Sequence, residues 1–409
     1  MSRITQKINK ALPPSLKLPL KALVARLTGT RRRVAADAVS FDRAGIETSG
    51  LQILVCDDHV PTPDRDAGSA RMFLVLKSLS KLGHPLFISM SGLRQPDYEE
   101  ELRKEGVETA FWADYKQLLR KRSFDVALLS RPDVAEALLR TIRKTSPSTQ
   151  IIFDTVDIYS IRLGREYKLT GDKKIAAEAK RYQRLEGRLA RECDQVWCVT
   201  REDQAALRPL APAARFEIVP TIHPLQERGK DFAERHGAVF IGNYLHRPNE
   251  DAIHYFVREV LPLVQAACAG FKLFIVGDHA PQQIRDYASD VVIVTGYLPE
   301  VAEIFHSCRV FVAPLRFGSG MKGKIGQALS YGVPVVTTSV GAEGMELENG
   351  RQALIADSAP VFAEAVIDLN RDADLWQRLS DNGFEHVRRN FTPEVVEEKI
   401  RRAVMNLVG

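Results

Sequence analysis

The sequence predicts an α/β protein with two Rossmann-like, doubly wound parallel sheets in tandem. Strand and helix patterns alternate along most of the 409 residues, and such alternation is typical of parallel sheets that carry helices on both faces. The alternation stops at the polar, irregular segment 223–237 and then starts again. Ligands bind such sheets at the carboxyl ends of the strands, so two facing domains predict one central cleft between them.

The first series of elements predicts a domain over residues 46–222. Short apolar runs predict its strands, and apolar residues at helical spacing predict the helices between them. The predicted strands cover 51–58, 85–90, 124–130, 149–155, 195–200 and 216–220, and the predicted helices cover 70–83, 133–144 and 172–192. Gly83 is the expected stop of the first helix.

The second series predicts a domain over residues 238–385, joined to the first by the linker 223–237. Its strands are predicted at 238–242, 272–277, 291–296, 310–315, 333–339 and 353–357, and its helices at 249–266, 299–307 and 322–331. Further helices fill the C-terminal region. We expect the last of them, residues 386–409, to pack back on the first domain.

Composition restricts the class of protein. Apolar residues make up 45% and charged residues 27% of the chain, as in folded globular proteins. Apolar runs stay below the roughly 18 residues that a membrane-spanning helix needs, and the N-terminus lacks the compact apolar segment of a signal peptide. The five cysteines are scattered, which predicts reduced thiols in a cytosolic protein and no metal site.

The positive charge concentrates at the N-terminus. Residues 1–36 contain nine Lys or Arg and no Asp or Glu, and residues 16–27 repeat leucine and valine at helical spacing. We expect residues 1–45 to form a basic amphipathic arm that attaches to an anionic membrane surface through residues 1–36. The alternatives are a partly ordered basic arm and a helix packed on the domain. Nucleic acid is not expected as a partner, because no aromatic platform accompanies the charges.

The clearest chemical signal is the stretch FGSGMKGKIGQALSYGVPVV, residues 317–336, which joins a predicted strand to a predicted helix. Gly318 and Gly320 let the backbone approach a ligand closely, and the N–H groups that begin a helix favour an anion. Three cations lie in or next to this turn: Arg316, Lys322 and Lys324. The turn therefore predicts a phosphate site, and an ordinary loop between a strand and a helix is the alternative.

The same turn does not predict an ATPase. A P-loop has Ser or Thr directly after its lysine, where the hydroxyl holds Mg²⁺. Here Ile325 follows Lys324, and the next predicted strand, 333–339, does not end in a metal-binding acid. The stretch is therefore interpreted as a phosphate site of another kind.

Longer segments of the chain resemble a known family. FVAPLRFGSGMKGKIGQALSYGVPVVTTSVGAEGM is similar to the donor-site segment of GT4-type glycosyltransferases with the GT-B fold. FIGNYLHRPNEDAIHYFVREVLPLV and VTGYLPEVAEIFHSCRVFVAPL are similar to the preceding parts of that domain. ILVCDDHVPTPDRDAGSARMFLVLKSLSKLGH and IIFDTVDIYSIR resemble the first domain of the bacterial branch. The likeness runs in the same order over roughly residues 50–400.

The resemblance implies transfer of a sugar from a nucleotide-sugar, with retention of configuration and without a required metal or other cofactor. The implied diphosphate contacts are Lys324 and Arg316, with Lys322 as a further cation and the turn backbone at Gly318, Ser319, Gly320 and Met321. Preorganised donors there would stabilise the charge on the departing phosphate in the transition state. In this family the departing phosphate takes the acceptor proton, so the carboxylate pair of a glycoside hydrolase is not needed.

Three departures from the family's pattern are visible. Many relatives have two Glu with seven residues between them, matched here by Ser319 and Gln327; the second Glu binds ribose hydroxyls, which an amide can also do. The Arg and Lys after the first strand of the second domain are matched by Asn243 and Pro248. Asp157 lies where relatives often place a His, and we expect it to hold a sugar or acceptor hydroxyl. A strand-end or helix-capping carboxylate is the alternative.

Four more residues are candidates for the cleft. Gly68 and Ser69 resemble the first-domain loop that faces the donor, and an N-cap role for Ser69 is compatible with that position. Tyr297 follows a predicted strand where relatives hold the nucleobase, with packing as its alternative. Glu343 is expected either to meet the sugar or ribose or to lie in solvent.

Two functional hypotheses follow. The first is a retaining glycosyltransferase that builds a bacterial cell-surface polysaccharide from a nucleotide-sugar and a glycan or lipid-linked acceptor, peripherally attached to the inner face of the plasma membrane. The second is a catalytically inactive protein of the same fold that binds a donor or glycan within a polysaccharide assembly. The residues that keep the second hypothesis open are Ser319, Gln327 and Asn243.

Overall fold

Two parallel β-sheets organise the protein, whose computed structural model describes residues 50–409. The predicted arm over residues 1–45, with its membrane segment 1–36, lies outside the described residues. The strands are β1 Leu51–Asp57, β2 Gly83–Ser89, β3 Glu108–Phe111, β4 Val126–Ser130, β5 Gln150–Asp154, β6 Gln195–Cys198, β7 Phe216–Ile218, β8 Ala238–Ile241, β9 Leu273–Val276, β10 Val292–Gly296, β11 Val310–Ala313, β12 Val335–Thr337 and β13 Leu354–Ile355.

Helices connect most of these strands. They are α1 Ala67–Ser80, α2 Pro96–Lys104, α3 Tyr115–Lys121, α4 Pro132–Thr145, α5 Tyr159–Thr170, α6 Lys173–Glu192, α7 Arg201–Leu207, α8 Arg247–Tyr255, α9 Leu261–Ala267, α10 Gln282–Arg285, α11 Ala302–Ser307, α12 Gly323–Ser330, α13 Ser339–Ala342, α14 Ala359–Arg371, α15 Ala373–Asn390 and α16 Pro393–Val408. A π-helical turn at Phe256–Val260 joins α8 to α9. Within residues 50–409, no helix combines the length and the apolar character needed to span a membrane.

The strand order places one switch point in each sheet. The first sheet has the order β3-β2-β1-β4-β5-β6-β7, and the second has the order β10-β9-β8-β11-β12-β13. The order reverses between β1 and β4 in the first sheet and between β8 and β11 in the second. Loops diverge at such a point and leave a crevice at the carboxyl ends of the strands. The prediction of two doubly wound parallel sheets is confirmed.

Helices cover both faces of the first sheet, and together they form the first lobe, residues 50–220 with α16. Along β1, Ile53 and Val55 point into one apolar cluster, and Leu54 and Cys56 point into the other, as the two-residue period of a strand requires. Helices α4 and α6 pack on one face, and α1 and α16 on the other. The second sheet and its helices form the second lobe, residues 221–392, built in the same way.

The C-terminal helix crosses from the second lobe to the first. Val396, Ile400 and Val404 of α16 are fully buried against Met72 and Leu76 of α1. The helix begins at Pro393, whereas the predicted boundary at residue 386 falls inside α15. The other predicted domain boundaries stay predictions.

The segment 223–237, predicted as a linker, is irregular but packed. Arg235 is only 1% exposed, and its guanidinium donates hydrogen bonds to four backbone carbonyls, those of Arg228, Lys230, Phe305 and Cys308. A buried guanidinium that is satisfied by four carbonyl oxygens is a fixed structural element. The segment is therefore part of the second lobe rather than a free connection.

Two local predictions in the first lobe are wrong. The first helix was expected over 70–83 with Gly83 as its stop, but α1 ends at Ser80 and Gly83 begins β2. A side chain at Gly83 would collide with the backbone of Leu51, so glycine is required by the close approach of β1 and β2. The pattern also missed β3 and helices α2, α3 and α5, since these elements are short or largely exposed.

Candidate active site

The predicted phosphate-binding turn lies at the switch point of the second sheet. We call residues 316–324 the lysine turn; it follows β11 and enters α12. Gly318 has φ 150° and Gly320 has φ 64°, so both adopt backbone that side chains disfavour. A Cβ on Gly320 would lie 3.0 Å from the Cβ of Asp157 in the first lobe. Glycine is therefore needed where the two lobes meet.

Two lysines of this turn lie in a low-dielectric setting. Lys322 is 8% exposed, and its Nζ donates to the Gly320 carbonyl at 2.6 Å and lies 3.8 Å from a carboxylate oxygen of Glu343. The Nζ of Lys324 donates to Asn249 Oδ1 and lies 4.3 Å from the ring centre of Phe240. A buried ammonium group without a full counter-charge is costly, so the pair is suited to an anion.

The pKa values of both lysines reflect this cost. Burial lowers the pKa of Lys322 to about 8, although Glu343 and Asp203 partly oppose the shift. Burial and the nearby charge of Lys322 lower the pKa of Lys324 to about 7. A bound diphosphate would favour the charged forms and would raise both values again.

The start of α12 adds backbone donors beside the lysines. Lys322 is the N-cap residue, and no side chain caps the helix. The first N–H groups of an α-helix have no partner within the helix, and the helix dipole is positive at this end. Ile325, where a P-loop needs a hydroxyl, is fully buried in the second-lobe core and cannot reach a ligand. The arrangement favours an anion and excludes a P-loop metal site at this position.

Arg316 does not join this cluster. Its guanidinium pairs with both carboxylate oxygens of Asp251 on α8 and lies 5.1 Å from the ring centre of Tyr255. The ion pair raises the pKa of Arg316 further above its usual value. Its predicted diphosphate contact stays a prediction, and it requires the side chain to leave Asp251.

Asn249 is a site residue that the sequence reasoning missed. Its amide nitrogen donates to the Asn243 carbonyl at 2.7 Å, while its oxygen accepts from Lys324. Asn243 itself accepts from the backbone N–H of Leu245, and Pro248 is buried in the first turn of α8. These residues shape the loop after β8, and Asn249 fixes the position of the Lys324 ammonium group.

The first lobe holds the lysine turn from across the cleft. Ser319 donates its hydroxyl to Asp157 Oδ2 at 2.9 Å, and Arg162 donates to the same oxygen at 2.9 Å. Arg165 donates to the Gly318 carbonyl at 2.7 Å and pairs with both oxygens of Glu343 at 2.6 Å. The cleft therefore brings the predicted site residues Asp157, Ser319 and Glu343 close together, and their roles stay predictions.

The alternatives for Asp157 and Ser69 as helix caps are wrong. The N-cap of α5 is Ile158, and the first N–H groups of that helix are accepted by Glu186. The N-cap of α1 is Asp66, whose carboxylate accepts from both the N–H and the hydroxyl of Ser69. The sequence pattern predicts the start of this helix at residue 70, three residues later than the structure has it, and Ser69 would then be the cap.

The glycine loop of the first lobe packs close to the lysine turn. A Cβ on Gly68 would lie 3.3 Å from the Arg131 guanidinium, and a Cβ on Gly323 would lie 2.5 Å from the Ala67 side chain. The N-terminal ends of α1 and α12 therefore approach each other at the cleft. Small residues at this contact let the two helix ends share one ligand space.

Tyr297 also touches the first lobe. The Tyr297 hydroxyl donates to Asp64, and the Arg65 guanidinium lies 4.9 Å from the Tyr297 ring centre. The carboxylate of Asp64, with burial, raises the pKa of Tyr297 to about 12. Met321 contacts the hydroxyl of Thr221 through its sulfur. Gln327 is partly buried on α12, and its side chain makes no hydrogen bond among residues 50–409.

A second group of charges lies at the switch point of the first sheet, and we call it the acid cluster: Asp57, Asp58, His59 and Arg131. Arg131 donates to Asp57 at 2.7 Å and lies 3.1 Å from Asp58. His59 contacts Asp58 through Nδ1 and the Ser69 hydroxyl through Nε2 at 3.0 Å. Burial raises the pKa of Asp57; for Asp58 burial acts in the same direction, but Arg131 and His59 outweigh it and lower the pKa.

The sequence carries a signal for the acid cluster. The predicted strand 51–58 ends in two acids, and Arg131 directly follows the predicted strand 124–130. Arg131 also has a φ of 76°, a rare value for a side chain that is not glycine. Strand ends that adjoin in a doubly wound sheet bring such residues together, but their adjacency depends on the strand order.

Comparison with known proteins agrees with this architecture. Residues 235–372 match the family Glycosyl transferases group 1. HepE of Anabaena, solved with UDP and glucose, superposes with a TM-score of 0.69 and 12% identity, covering 87% of this chain and 100% of that chain. Sucrose-phosphate synthase of Thermosynechococcus elongatus superposes with a TM-score of 0.68 and 15% identity, covering 87% and 99%. The fold is GT-B.

A curated relative adds a weaker sequence match. An uncharacterized 44.6 kDa protein in the cps region of Klebsiella pneumoniae is 24% identical over 191 residues, which is 44% of this chain and 49% of that protein. The alignment thus spans about half of either chain. The family match over the second lobe of this GT-B protein supports sugar transfer as its class of activity.

Proposed function

We propose that the protein is a retaining glycosyltransferase of the GT4 type, which moves a sugar from a nucleotide-sugar to a glycan or lipid-linked acceptor. The observation that carries this proposal is the pair of desolvated lysines at the uncapped start of α12, of which Lys322 is buried and Lys324 is half-buried. An anionic diphosphate is the ligand that such a site stabilises most. The family match over residues 235–372 supports the same class.

The lysine turn would act on the leaving group. Cleavage of the bond between the anomeric carbon and the diphosphate oxygen leaves negative charge on that oxygen. Lys324 and Lys322, with the N–H groups that begin α12, would stabilise this charge, because they are held close together before the donor binds. The acceptor oxygen bonds to the anomeric carbon on the same face, and its proton passes to the departing phosphate oxygen. No metal ion enters this scheme.

The cross-lobe contacts would position the sugar. Asp157 and Glu343 face the lysine turn from both lobes, and each is already held by an arginine, Arg162 or Arg165. Carboxylates that are fixed in this way accept hydrogen bonds from sugar hydroxyls without a further loss of side-chain conformational freedom. The acid cluster, at the facing switch point, is the proposed place for acceptor hydroxyls, and Gln327 and Tyr297 are proposed for the nucleoside.

A uridine diphosphate sugar is the donor to test first, because HepE of Anabaena, which shares the fold, was solved with UDP and glucose. Thermal unfolding should be followed with UDP-, GDP-, ADP- and CDP-sugars. A genuine donor raises Tm with the logarithm of its concentration. If none of the nucleotide-sugars raises Tm, the proposed donor site is wrong.

The configuration of the product and the release of nucleotide test the retaining scheme. We expect the product to keep the anomeric configuration of the donor, measured by NMR of the anomeric proton during transfer. An inverted product would refute the retaining scheme and leave the donor site in place. Release of the nucleoside diphosphate without added acceptor would still establish cleavage.

The alternative function is a catalytically inactive donor- or glycan-binding subunit. It is favoured by the contact between Ser319 and Asp157, because a serine stands where many relatives have Glu and its hydroxyl already has a partner. Donor binding by thermal shift, without nucleotide release from any donor and acceptor pair, would favour this alternative.

The cellular role is proposed as cell-surface polysaccharide synthesis at the inner face of the plasma membrane. The relative in the cps region of Klebsiella pneumoniae supports the pathway, and the basic residues 1–36 support peripheral attachment. Deletion of residues 1–36 should move the protein from the membrane to the soluble fraction. An unchanged distribution would remove this segment as the anchor.

A further inference from the structure

The tip of the helical hairpin α5–α6 combines features that are unusual for a solvated surface. We call residues 167–174 the hairpin tip. Tyr167 is 39% exposed and Leu169 is 44% exposed, and both lie in the last turn of α5. Lys168, Lys173 and Lys174 are exposed beside them. Two large apolar side chains and three cations thus share one short, protruding segment.

The geometry of the tip is fixed. Gly171 ends α5 in the left-handed conformation, with φ 71°, and its N–H donates to the Tyr167 carbonyl at 2.8 Å. Asp172 then caps α6 by accepting from the Lys174 N–H at 2.8 Å. Farther down the hairpin, the rings of Tyr159 and Tyr182 pack edge to face. The exposed side chains are therefore presented by a rigid turn and not by a free loop.

Within the described part of the chain, the lysines of the tip have no acidic partner. Among residues 50–409, Lys168, Lys173 and Lys174 form no side-chain ion pair. Other exposed helices behave differently, since Arg103, Arg388 and Arg401 each pair with a glutamate three residues earlier. Residues 167–184 hold six Lys or Arg against two acidic residues. This local excess of positive charge is complementary to an anionic surface.

The apolar residues indicate which anionic surface fits. A nucleic acid would be bound by charge and by stacking on aromatic rings. Leu169 has an aliphatic side chain, whose transfer from water is favourable only into a hydrocarbon environment. A tyrosine, a leucine and flanking lysines are the side chains that favour the boundary between headgroups and acyl chains. Leu245, whose side chain is 71% exposed, lies close to α5, because Arg247 two residues later pairs with Glu166 of α5 at 2.8 Å.

We propose that the hairpin tip, residues 167–174, inserts into the surface of an anionic lipid bilayer. Tyr167 and Leu169 enter the interface, and Lys168, Lys173 and Lys174 contact lipid phosphates. This contact is separate from the proposed attachment through residues 1–36, and it does not depend on sugar transfer.

The position of the tip gives the contact a consequence for the cleft, and this consequence rests on the proposed function. Leu169 follows Arg165 by four residues, which is about 6 Å along a helix. Arg165 holds the Gly318 carbonyl of the lysine turn and the carboxylate of Glu343. A tip seated on a bilayer would therefore bring the cleft mouth close to a lipid-linked acceptor.

The test uses the full chain and a dye at one position. All five native cysteines are buried, so Leu169→Cys introduces one accessible thiol for an environment-sensitive fluorophore. Val361, 50% exposed on α14 of the second lobe, supplies the matched control as Val361→Cys. Each labelled protein is titrated with vesicles of phosphatidylglycerol and phosphatidylcholine, and with vesicles of phosphatidylcholine alone.

We expect a blue shift from the dye at residue 169 with the anionic vesicles only, and no shift at residue 361. If the chain sediments with the vesicles while the dye at residue 169 stays unshifted, another segment binds the lipid and the proposal is overturned. Equal shifts at both positions, or a shift produced by nucleic acid in place of vesicles, would also overturn it.

Substitutions give a second measurement on unlabelled full chain. Lys168→Gln, Lys173→Gln and Lys174→Gln together should weaken vesicle binding by at least about tenfold, because each cation near an anionic surface contributes to attraction. Tyr167→Ser with Leu169→Ser should do the same, and Val361→Ser with Met405→Ser should not. Binding within twofold of the unchanged protein for both tip variants, at an unchanged Tm, would contradict the proposal.

Discussion

The two switch points of this protein have the same topology and opposite chemistry. The lysine turn of the second lobe holds two partly desolvated cations with one carboxylate 3.8 Å away, and its lysine pKa values are lowered. The acid cluster of the first lobe pairs its carboxylates internally with Arg131 and His59. The first site needs an external anion to balance its charge. The second is already balanced and suits neutral, hydroxyl-rich groups.

The comparison teaches that strand order sets where ligands bind and that the loop residues set which ligands bind. Substitutions at one switch point, combined with measurements at the other, test this separation.

Lys324→Ala should remove most of the transfer activity. Loss of one preorganised donor to a developing charge costs about 10²–10³-fold in rate, and Lys324 lies at the start of α12 beside Lys322, whose charge together with burial lowers its pKa. We expect kcat/KM for the donor to fall by about three orders of magnitude, or about 4 kcal/mol. The circular dichroism spectrum should not change. Lys272→Ala, on an exposed lysine of the same lobe, is the control. Near-normal turnover would exclude Lys324 from the site.

Arg131→Met should destabilise the first lobe and leave donor binding intact. The side chains of Arg131 and its partner Asp57 are only 15% and 4% exposed, respectively. Removal of one partner from a buried ion pair leaves the other charge uncompensated, which costs about 3 kcal/mol. Urea denaturation measures the loss. Arg103→Met, in an exposed pair with Glu100, should cost less than about 0.5 kcal/mol.

Adding Asp57→Asn to Arg131→Met should recover part of the lost stability, because the unpaired carboxylate is then removed. If donor affinity falls as strongly as stability does, the two switch points are not independent, and the comparison fails.

Gly320→Ala should weaken donor binding through backbone strain at the lobe contact. A side chain at φ 64° costs about 1–2 kcal/mol, and the new Cβ would also crowd Asp157 at 3.0 Å. We expect a roughly tenfold weaker Kd for the nucleotide-sugar by calorimetry.

Gly270→Ala is the matched control, because Gly270 has φ 72° and open space around its Cβ position. It should lower stability by a similar strain and leave the nucleotide-sugar Kd unchanged. Equal effects of both variants on Kd would show that the lobe contact has no part in binding.

Donor affinity should fall as the pH rises through 7 to 9. In the free protein the pKa of Lys324 is about 7 and that of Lys322 is about 8. A bound diphosphate raises both values, so the complex holds more protons than the free protein in this window. By linkage, Kd then increases with pH, by up to about tenfold per pH unit for each lysine.

The same pKa values fix the sign of the stability change without ligand. The unfolded lysines bind more protons than the folded ones above pH 7, so the contribution of these lysines to stability rises with pH.

Calorimetry in buffers of different ionisation enthalpy should detect proton uptake on donor binding. Lys324→Arg should remove part of it, because arginine stays charged. A Kd independent of pH would contradict the assignment of both lysines.

Tyr297→Phe should have the smallest effect. It removes one hydrogen bond to Asp64 across the cleft, worth about 0.5 kcal/mol, so the donor Kd should change by about twofold. Tyr98→Phe removes a bond to the same carboxylate at 2.6 Å within the first lobe and should leave Kd unchanged. A large loss from Tyr297→Phe would instead assign its hydroxyl a direct role in donor binding.

Much of the fold was predictable because buried strands of parallel sheets are short, continuous apolar runs. Residues 51–58, 124–130 and 310–315 carried that signal, and each contains a strand of the structure. The helix α5 and the edge strand β3 were missed, since Leu163 is one of few buried apolar residues in α5 and β3 has none that is fully buried. Burial, which produces the pattern, is weak in these elements.

Part of the candidate site was predictable from the sequence, and part was not. Lys322, Lys324 and the two glycines are close in sequence, so their chemistry could be predicted from one stretch. Asn249 and Arg165 come from other helices, and their contacts with the lysine turn depend on how the chain folds. The ion pair of Arg316 with Asp251 on α8 is likewise a tertiary contact that the sequence did not predict.

The sequence by itself determined the two βα series, the glycine turn and the cations that it carries, because these are local patterns of hydrophobicity, backbone freedom and charge. Only the tertiary structure decided that Asp157 meets Ser319, that Asp57 meets Arg131, and that the hairpin tip lies beside the cleft. The physical reason is that a local pattern fixes an element, whereas the order and packing of the elements decide which distant side chains come within hydrogen-bonding distance.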